Sequence, residues 1–445
     1  MRFITFAIML AVLTAGPSRA AEDTAPPAAN QGEAQDRELA EQITGLVRQL
    51  NDDRAAERET AEKKLLELGG ATAAQADRFL QLLPEPTDEM PLAVRERLAR
   101  IRREVQERAA KAGVEGTTVT LQANNMPVAE AFAEIEKQTG NKLKLRDEQP
   151  AGAGPTIPVD FKDEPFWSAV DQVLDQANLS IYNYAGEDAL SLVPREEDGA
   201  PRHGNADYVG PFRVEVLEIQ AQRNLRQPQR KSLKLQLEIA WEPRLRPIAI
   251  SQPVADIEAT DENGSPLAVS QPEASLDIEV PGGTQAAEII LPFDLPPRGV
   301  AKIAKLSGKL TALVPGRRAK FTFDDVANAA GKTERSGGVE VILDDVRKNN
   351  EIWEVHMRMR LDEDSRALES HRGWVFQNVS YLVGKDGEPI DHAGFETTRQ
   401  SQNEVGVAYL FDLPEGIEGL SWVYETPAAI IDLPVEYELT DIELP

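Results

Sequence analysis

The sequence predicts a multidomain α+β chain: a small helical unit, then a βαββαββ domain, then two tandem related β-sandwich domains. Three observations carry this. Apolar residues recur at helical spacing between residues 36 and 112. A short α/β pattern then occurs twice in succession, Pro127 recurring as Pro165 38 residues on. From Pro211 onward, alternating apolar and polar runs broken by Pro, Gly and Asn take over, and these also occur twice.

Residues 1–20 read as a secretory signal peptide. Arg2 supplies a positive start, Phe3 to Ala15 form a short apolar core, Gly16-Pro17 break it, and the small Ser18 and Ala20 frame a cleavage site. Export to the periplasm or cell envelope is therefore expected, with cleavage after Ala20. The apolar run is short for a bilayer span. No later stretch is both long and apolar enough, so the mature chain is expected to carry no integral membrane segment. Residues 21–35, rich in Pro, Ala and polar side chains, read as a disordered linker.

The chain holds 75 Asp and Glu against 48 Lys and Arg, a formal charge of −27, and no Cys. Such acidity argues against nucleic acid as a partner, because phosphate contacts need clustered cations. The absence of Cys rules out disulfides and thiol catalysis. In an exported chain it fits a bacterial envelope better than a eukaryotic secretory route.

Residues 36–112 form the helical unit. Ile43, Leu46, Val47 and Leu50 share one helix face. A second helix runs to Leu68 and stops at Gly69-Gly70, and a third is expected near 71–83. The fourth puts Val94, Leu98, Ile101 and Val105 on one face. "DDRAAERETAEKKLLELGG" followed by "PLAVRERLARIRREV" resembles a HEAT-like helical repeat; a plain four-helix packing unit is the alternative.

Residues 116–195 read as strand "TTVTLQA", helix 125–138, strands "KLKL" and "TIPVDFK", helix 163–177, and strands "LSIYNY" and "ALSLVP". The two halves align residue by residue: Val119 with Ile157, Leu121 with Val159, Ala131 with Ala169, Phe132 with Val170, Ile135 with Val173. Asn125 and Asp163 are expected N-caps, with Pro127 and Pro165 in the first turns. Val128, Phe132 and Ile135 make one apolar stripe; Phe166, Val170 and Val173 make the other. Neither half can bury its stripe alone, so the pair is expected to pack as one two-layer domain.

This element order, the "PVAEAFAEIEKQTG" helix and the closing hairpin resemble the short N-terminal domain shared by secretins and TonB-dependent receptors, the STN or secretin N-domain type. The resemblance covers 116–195 and implies a protein-docking module that meets an envelope protein partner. The secretin pore domain and the TonB-dependent barrel have no counterpart in this chain. Trp167, beside the core stripe of the second helix, is the candidate docking residue; a buried structural Trp is the alternative.

Residues 196–210 read as a polar linker, and β-sandwiches are expected at 211–326 and 337–445. "FRVEVLEI" recurs as "GVEVILDDV", "DENGSPL" as "GKDGEPI", "AEIILPFDLPPRGVAKI" as "VGVAYLFDLPEGIEGLS", and "KFTFDDV" as "EYELTDI". Asn-Gly and Asp-Gly mark equivalent turns. The spacer "ANAAGKTERSG" separates the copies.

Patterns that carry chemistry are sparse. His203, His356, His371 and His392 show no metal-ligand spacing; His203 falls in the linker and His356 is expected to face solvent. The acidic stretch 362–369 lacks the ligand spacing and glycine of a calcium loop. "VANAAGKT" ends like a phosphate-binding loop but lacks its first glycine and its strand–helix setting. Trp241, Trp353, Trp374 and Trp422 are expected in the sandwich cores. No catalytic residue, metal ligand or cofactor site is assigned. The sequence reads as a non-enzymatic exported envelope protein that docks a partner through its STN-like domain, by edge-strand pairing. The alternatives are cell-wall or glycan binding by the sandwiches, or a hydrolase with a site between them that uses carboxylates with His371 or His392.

Overall fold

Beyond Val114 the chain is mostly strand, with two further α-helices among the described residues. A computed structural model describes residues 28–445, apart from 71, 88, 147–154, 184, 187, 188, 362–372, 385 and 402, with backbone alone for 28–35, 73 and 74. The expected signal peptide, linker residues 21–27, the acidic stretch 362–369 and His371 lie outside the described residues. The fold is mixed α+β, mostly strand, with several sheets.

Helices α1 (Ala28–Gln49), α2 (Ala55–Leu68), α3 (Ala73–Leu82) and α4 (Leu92–Val114) come first. Their apolar faces share one core that includes Ile43, Leu50, Leu65, Phe79, Leu98 and Ile101. α1 begins inside the stretch expected to be a disordered linker, where Ala, Gln and Glu are good helix formers. α4 runs through Gly113, and Val114 is buried in a neighbouring β core. No helix among the described residues is long and apolar enough to cross a membrane.

Next come β1 (Thr118–Pro127), α5 (Val128–Thr139), β2 (Leu143–Leu145), β3 (Thr156–Pro165), α6 (Phe166–Ala177), β4 (Leu179–Tyr182) and β5 (Leu190–Pro194). β1 pairs with β3 alone, and β2-β5-β4 make a second small sheet in which β2 runs parallel to β5. Both apolar stripes meet in one core. Asn125 and Asp163 are not the N-caps. The ladder keeps Pro127 opposite Thr156 and Pro165 opposite Thr118, so each helix starts only after its proline, which is itself the cap residue. Asp163 instead sits at a bulge with φ +52 and bonds Thr120. The duplication reaches the other helix end: Gly140 and Asn178, at equivalent positions, stop α5 and α6 with φ +72 and +54.

The remaining strands are β6 (Ala206–Val209), β7 (Phe212–Arg223), β8 (Lys231–Trp241), β9 (Ala249–Pro253), β10 (Ile257–Asp261), β11 (Ser275–Glu279), β12 (Ala286–Phe293) and β13 (Lys302–Phe323). They are followed by β14 (Thr333–Ser336), β15 (Val339–Asn349), β16 (Ile352–Leu361), β17 (Val379–Val383), β18 (Pro389–Asp391), β19 (Gly394–Gln400), β20 (Glu404–Asp412) and β21 (Ser421–Glu443). One flanking sheet has the order β6-β7-β8-β12 and the other β14-β15-β16-β20-β19. The expected linker 196–210 and spacer 327–336 thus contain edge strands, β6 and β14. Glycines with positive φ, Gly210 in one case and Gly337-Gly338 in the other, fold each back onto the next strand.

Between the flanking sheets lies a seven-stranded sheet of order β11-β9-β13-β21-β17-β18, with β10 also on β13. β13 and β21 pair antiparallel from Lys302↔Glu443 to Phe323↔Trp422. Their ends belong to different cores. Leu306 and Leu310 of β13 join Val435, Tyr437 and Leu439 of β21 beneath Phe212, Leu237 and Trp241. Phe321 and Phe323 of β13 join Trp422 and Tyr424 of β21 beneath Val341, Met357 and Phe411. Segments 211–326 and 337–445 are therefore interlocked rather than separate: each completes the other's core with the end of its last strand. On β13, Ile303 is buried, then the even residues from Leu306 to Val314, then the odd residues from Ala319. Two residue pairs are missing from the ladder, Ala304 with Asp441 and Gly316 with Ala429, and Asp441 and Ala429 have φ +57 and +50. At each of these two sites, one irregular residue per strand resets the inward face without changing the register.

Candidate functional site

Residues four apart on a helix share a face. On α6 that places Trp167, Asp171 and Asp175 in one stripe, directed at the first flanking sheet and the segment leading into it. Trp167 is only 1% exposed, and its indole Nε1 donates to the carbonyl of Pro211 at 3.0 Å. Ala240 and Ala286 of the flanking sheet enter the same core. The expected docking aromatic is thus not a partly exposed residue: it seals a contact within the chain.

Beside it, the fully buried Asp171 carboxylate accepts from Arg213 Nε at 2.6 Å, Arg202 Nε at 2.9 Å and Tyr208 Oη at 3.0 Å. Arg213, also fully buried, donates to Glu215 at 2.6 Å and lies 3.8 Å from Glu238. Asn183 donates to Glu238 at 2.6 Å. Asp175 accepts the backbone N–H groups of Arg202 at 2.8 Å and His203 at 2.9 Å and pairs with Arg195. The polar segment before β6 is therefore clasped to α6.

The charges explain why the seam holds. Glu215 and Glu238 face each other across β7 and β8. Burial, then the Glu215 charge, pushes the Glu238 carboxyl up to about 6. Burial disfavours a charged Arg213, but Asp171 and Glu215 outweigh it and raise its pKa. Burial and then Asp171 raise Tyr208, keeping its phenol a donor. Removing one partner would leave the others charged and uncompensated in a dry site.

A second seam ties three segments together. Buried Glu242 accepts from Thr117 N at 2.7 Å, Thr117 Oγ1 at 2.9 Å, Asn141 Nδ2 at 2.9 Å and Arg244 Nε at 2.7 Å. Arg244 donates onward to the carbonyls of Gly113 and Glu115. Nearby, Gly116 lies so close to the Gly210 backbone that any Cβ would overlap it. The end of α4, the start of β1 and the segment after β8 are thereby fixed to one another.

What the seams leave open is the other half of the duplication. The α5 positions equivalent to Trp167, Asp171 and Asp175 are Ala129, Ala133 and Lys137, and all three are exposed. Neither β1 nor β3 pairs with a third strand among the described residues. This contrast between copies was the available signal: Trp167 and Asp171 stand where the first copy has alanines. Arg213 carried a fainter one, as a charge inside the apolar start of "FRVEV".

The other singled-out residues are dispersed. His356 is half-buried rather than solvent-facing, with Nε2 2.8 Å from Glu354. His392 lies among Phe395, Tyr409 and Phe411. Val326–Asn328 form a 3-10 turn and β14 starts at Thr333, so no helix follows "VANAAGKT". Trp241, Trp374 and Trp422 are buried; Trp353 is half-buried at a rim beneath Lys348. A groove of about 460 Å³ between α1 and α2 is lined by Glu41, Gly45, Leu46, Lys64 and Leu68 among others. Among the described residues, no three His, Asp or Glu side chains converge as a metal site would require. No family model, curated protein or solved structure matches the chain.

Proposed function

We propose that the chain is an exported, non-enzymatic scaffold of the bacterial cell envelope whose STN-like domain, 116–195, docks a partner protein. In this reading its modules are a helical unit, the STN-like domain and two related β-sandwiches interlocked through β13 and β21. The observation that carries it is the asymmetry between the two equivalent helices. The outer face of α6 is sealed by the ionic seam, whereas the outer face of α5 is open. Anchoring one half of a duplicated unit presents the other half rigidly, which lowers the ordering cost of binding. Ala129 and Ala133 permit close approach, and the outer edges of β1 and β3, unpaired among the described residues, accept an added strand.

The test places a photo-crosslinking amino acid at Ala133 in intact cells, with a control at exposed Glu59 on α2. Mass spectrometry identifies what each captures. One envelope protein captured from position 133 and not from 59 is the expected result. Capture of the same abundant neighbours from both positions overturns the docking reading. Recovery of a mature chain beginning at Ala21 from the periplasmic fraction checks export.

A further inference from the structure

The hairpin joining β7 to β8 differs in charge from the rest of the chain. No Asp or Glu lies between Glu218 and Glu238, while Arg223, Arg226, Arg230, Lys231 and Lys234 do, in a chain of net charge −27. Residues 220–231 are all exposed. Elsewhere, exposed lysines find carboxylates, as in Lys305 with Glu438 and Lys309 with Glu436. The Arg223, Arg226 and Arg230 guanidiniums have no carboxylate partner among the described residues.

The tip is also ordered. Asn224 Oδ1 accepts from the backbone N–H of Arg226 at 2.9 Å and of Gln227 at 3.0 Å, and Asn224 N donates to Arg230 O at 3.0 Å. Between the arginines stands Leu225, 88% exposed, the most exposed of the chain's large apolar side chains among the described residues. The pairing of β12 with β8 ends at Leu233, whereas β7 and β8 pair on to Arg223↔Lys231 before the turn. The tip therefore projects by on the order of 10 Å, about a Debye length at physiological salt. That distance lets it act apart from the acidic body.

We propose that this tip docks on the surface of a bilayer carrying anionic phospholipid, with the three guanidiniums on headgroup phosphates and Leu225 in the acyl boundary. Cations alone would suit any polyanion. The combination with a bare leucine at the apex is that of interfacial membrane elements. The negative body, repelled by the same surface, restricts contact to the tip. This inference stands independently of docking through α5.

Flotation of the full chain with vesicles of two-thirds phosphatidylcholine and one-third phosphatidylglycerol tests it, against pure phosphatidylcholine. Binding to the anionic vesicles only, weakened by salt, is expected. The triple variant R223Q/R226Q/R230Q should lose roughly 100-fold in partitioning, about 5-fold per cation. Leu225→Ser should lose roughly tenfold. All substituted side chains are exposed, and circular dichroism checks that the fold is kept. Failure of the native chain to float with anionic vesicles, or unchanged flotation of the triple variant, overturns the proposal. Retention on polyglutamate without vesicle binding also overturns it, in favour of an acidic protein partner.

Discussion

Arg213 shows how one side chain can decide the arrangement of two modules. It stands fully buried between Asp171, Glu215 and Glu238. Arg213→Ala should cost about 3–5 kcal/mol, because three carboxylates lose their shared cation in a dry seam. Urea unfolding measures this; a loss below 1 kcal/mol, roughly the worth of an exposed pair, would contradict it. Glu238 gives a pH signature. Its carboxyl rises from an ordinary 4.5 to about 6 on folding, so the native state binds more protons between those values. Stability contributed by this group therefore falls as pH rises through that window, by up to about 2 kcal/mol. Glu238→Gln should remove that slope from a stability profile measured between pH 4 and 7, and an unchanged slope would assign it to another group. For Trp167 the sequence offered both a docking role and a partly buried structural role, since a Trp beside a core stripe looks alike whether a neighbour covers it or not.

At the scale of elements, the centre of β13 and β21 is the critical point. Gly316 there is in contact with Ala110 of α4, and a Cβ on residue 316 would overlap the alanine and its backbone. Gly316→Val should cost about 1–3 kcal/mol by overpacking. It should also speed proteolysis in the 115–117 connection, as α4 is pushed from the sheet. Equal proteolysis rates in variant and native chain would show that α4 is held elsewhere. The helices and strands of the duplicated α/β unit were readable because their spacing is local. Their caps were not: Asn125 and Asp163 look like N-caps in sequence, but pairing of β1 with β3 carries each strand to its proline. β6 and β14 were missed for a similar reason, as four-residue edge strands are too short to show a period and take their identity from the neighbour they pair with.

For the whole molecule, the exchange of strand ends makes the two β cores depend on each other. Removing residues 430–445 takes Val435, Tyr437 and Leu439 from the first core, although the cut lies in the second repeat. Each buried side chain contributes about 1.5–3 kcal/mol, and together they rival a domain's total stability of about 5–15 kcal/mol. The truncated chain should lose amide hydrogen-exchange protection throughout β7, β8 and β12. Retained protection there would mean that the first core stands without β21. In the intact chain, both cores should unfold in one transition for the same reason.

By itself the sequence determined the periods, and the periods determined the elements: helical stripes to residue 112, one α/β unit written twice, and alternating strands written twice. These are local properties, since a buried face leaves its mark on the residues that form it. Tertiary structure alone decided what covers each face. It set Trp167 and Asp171 against the chain's own sheet while leaving Ala129 and Ala133 open. It also sent the ends of β13 and β21 into each other's repeat. Alternation states that a strand has an inner face; which of the two β cores receives it depends on contacts more than a hundred residues away, such as Leu306 with Leu439.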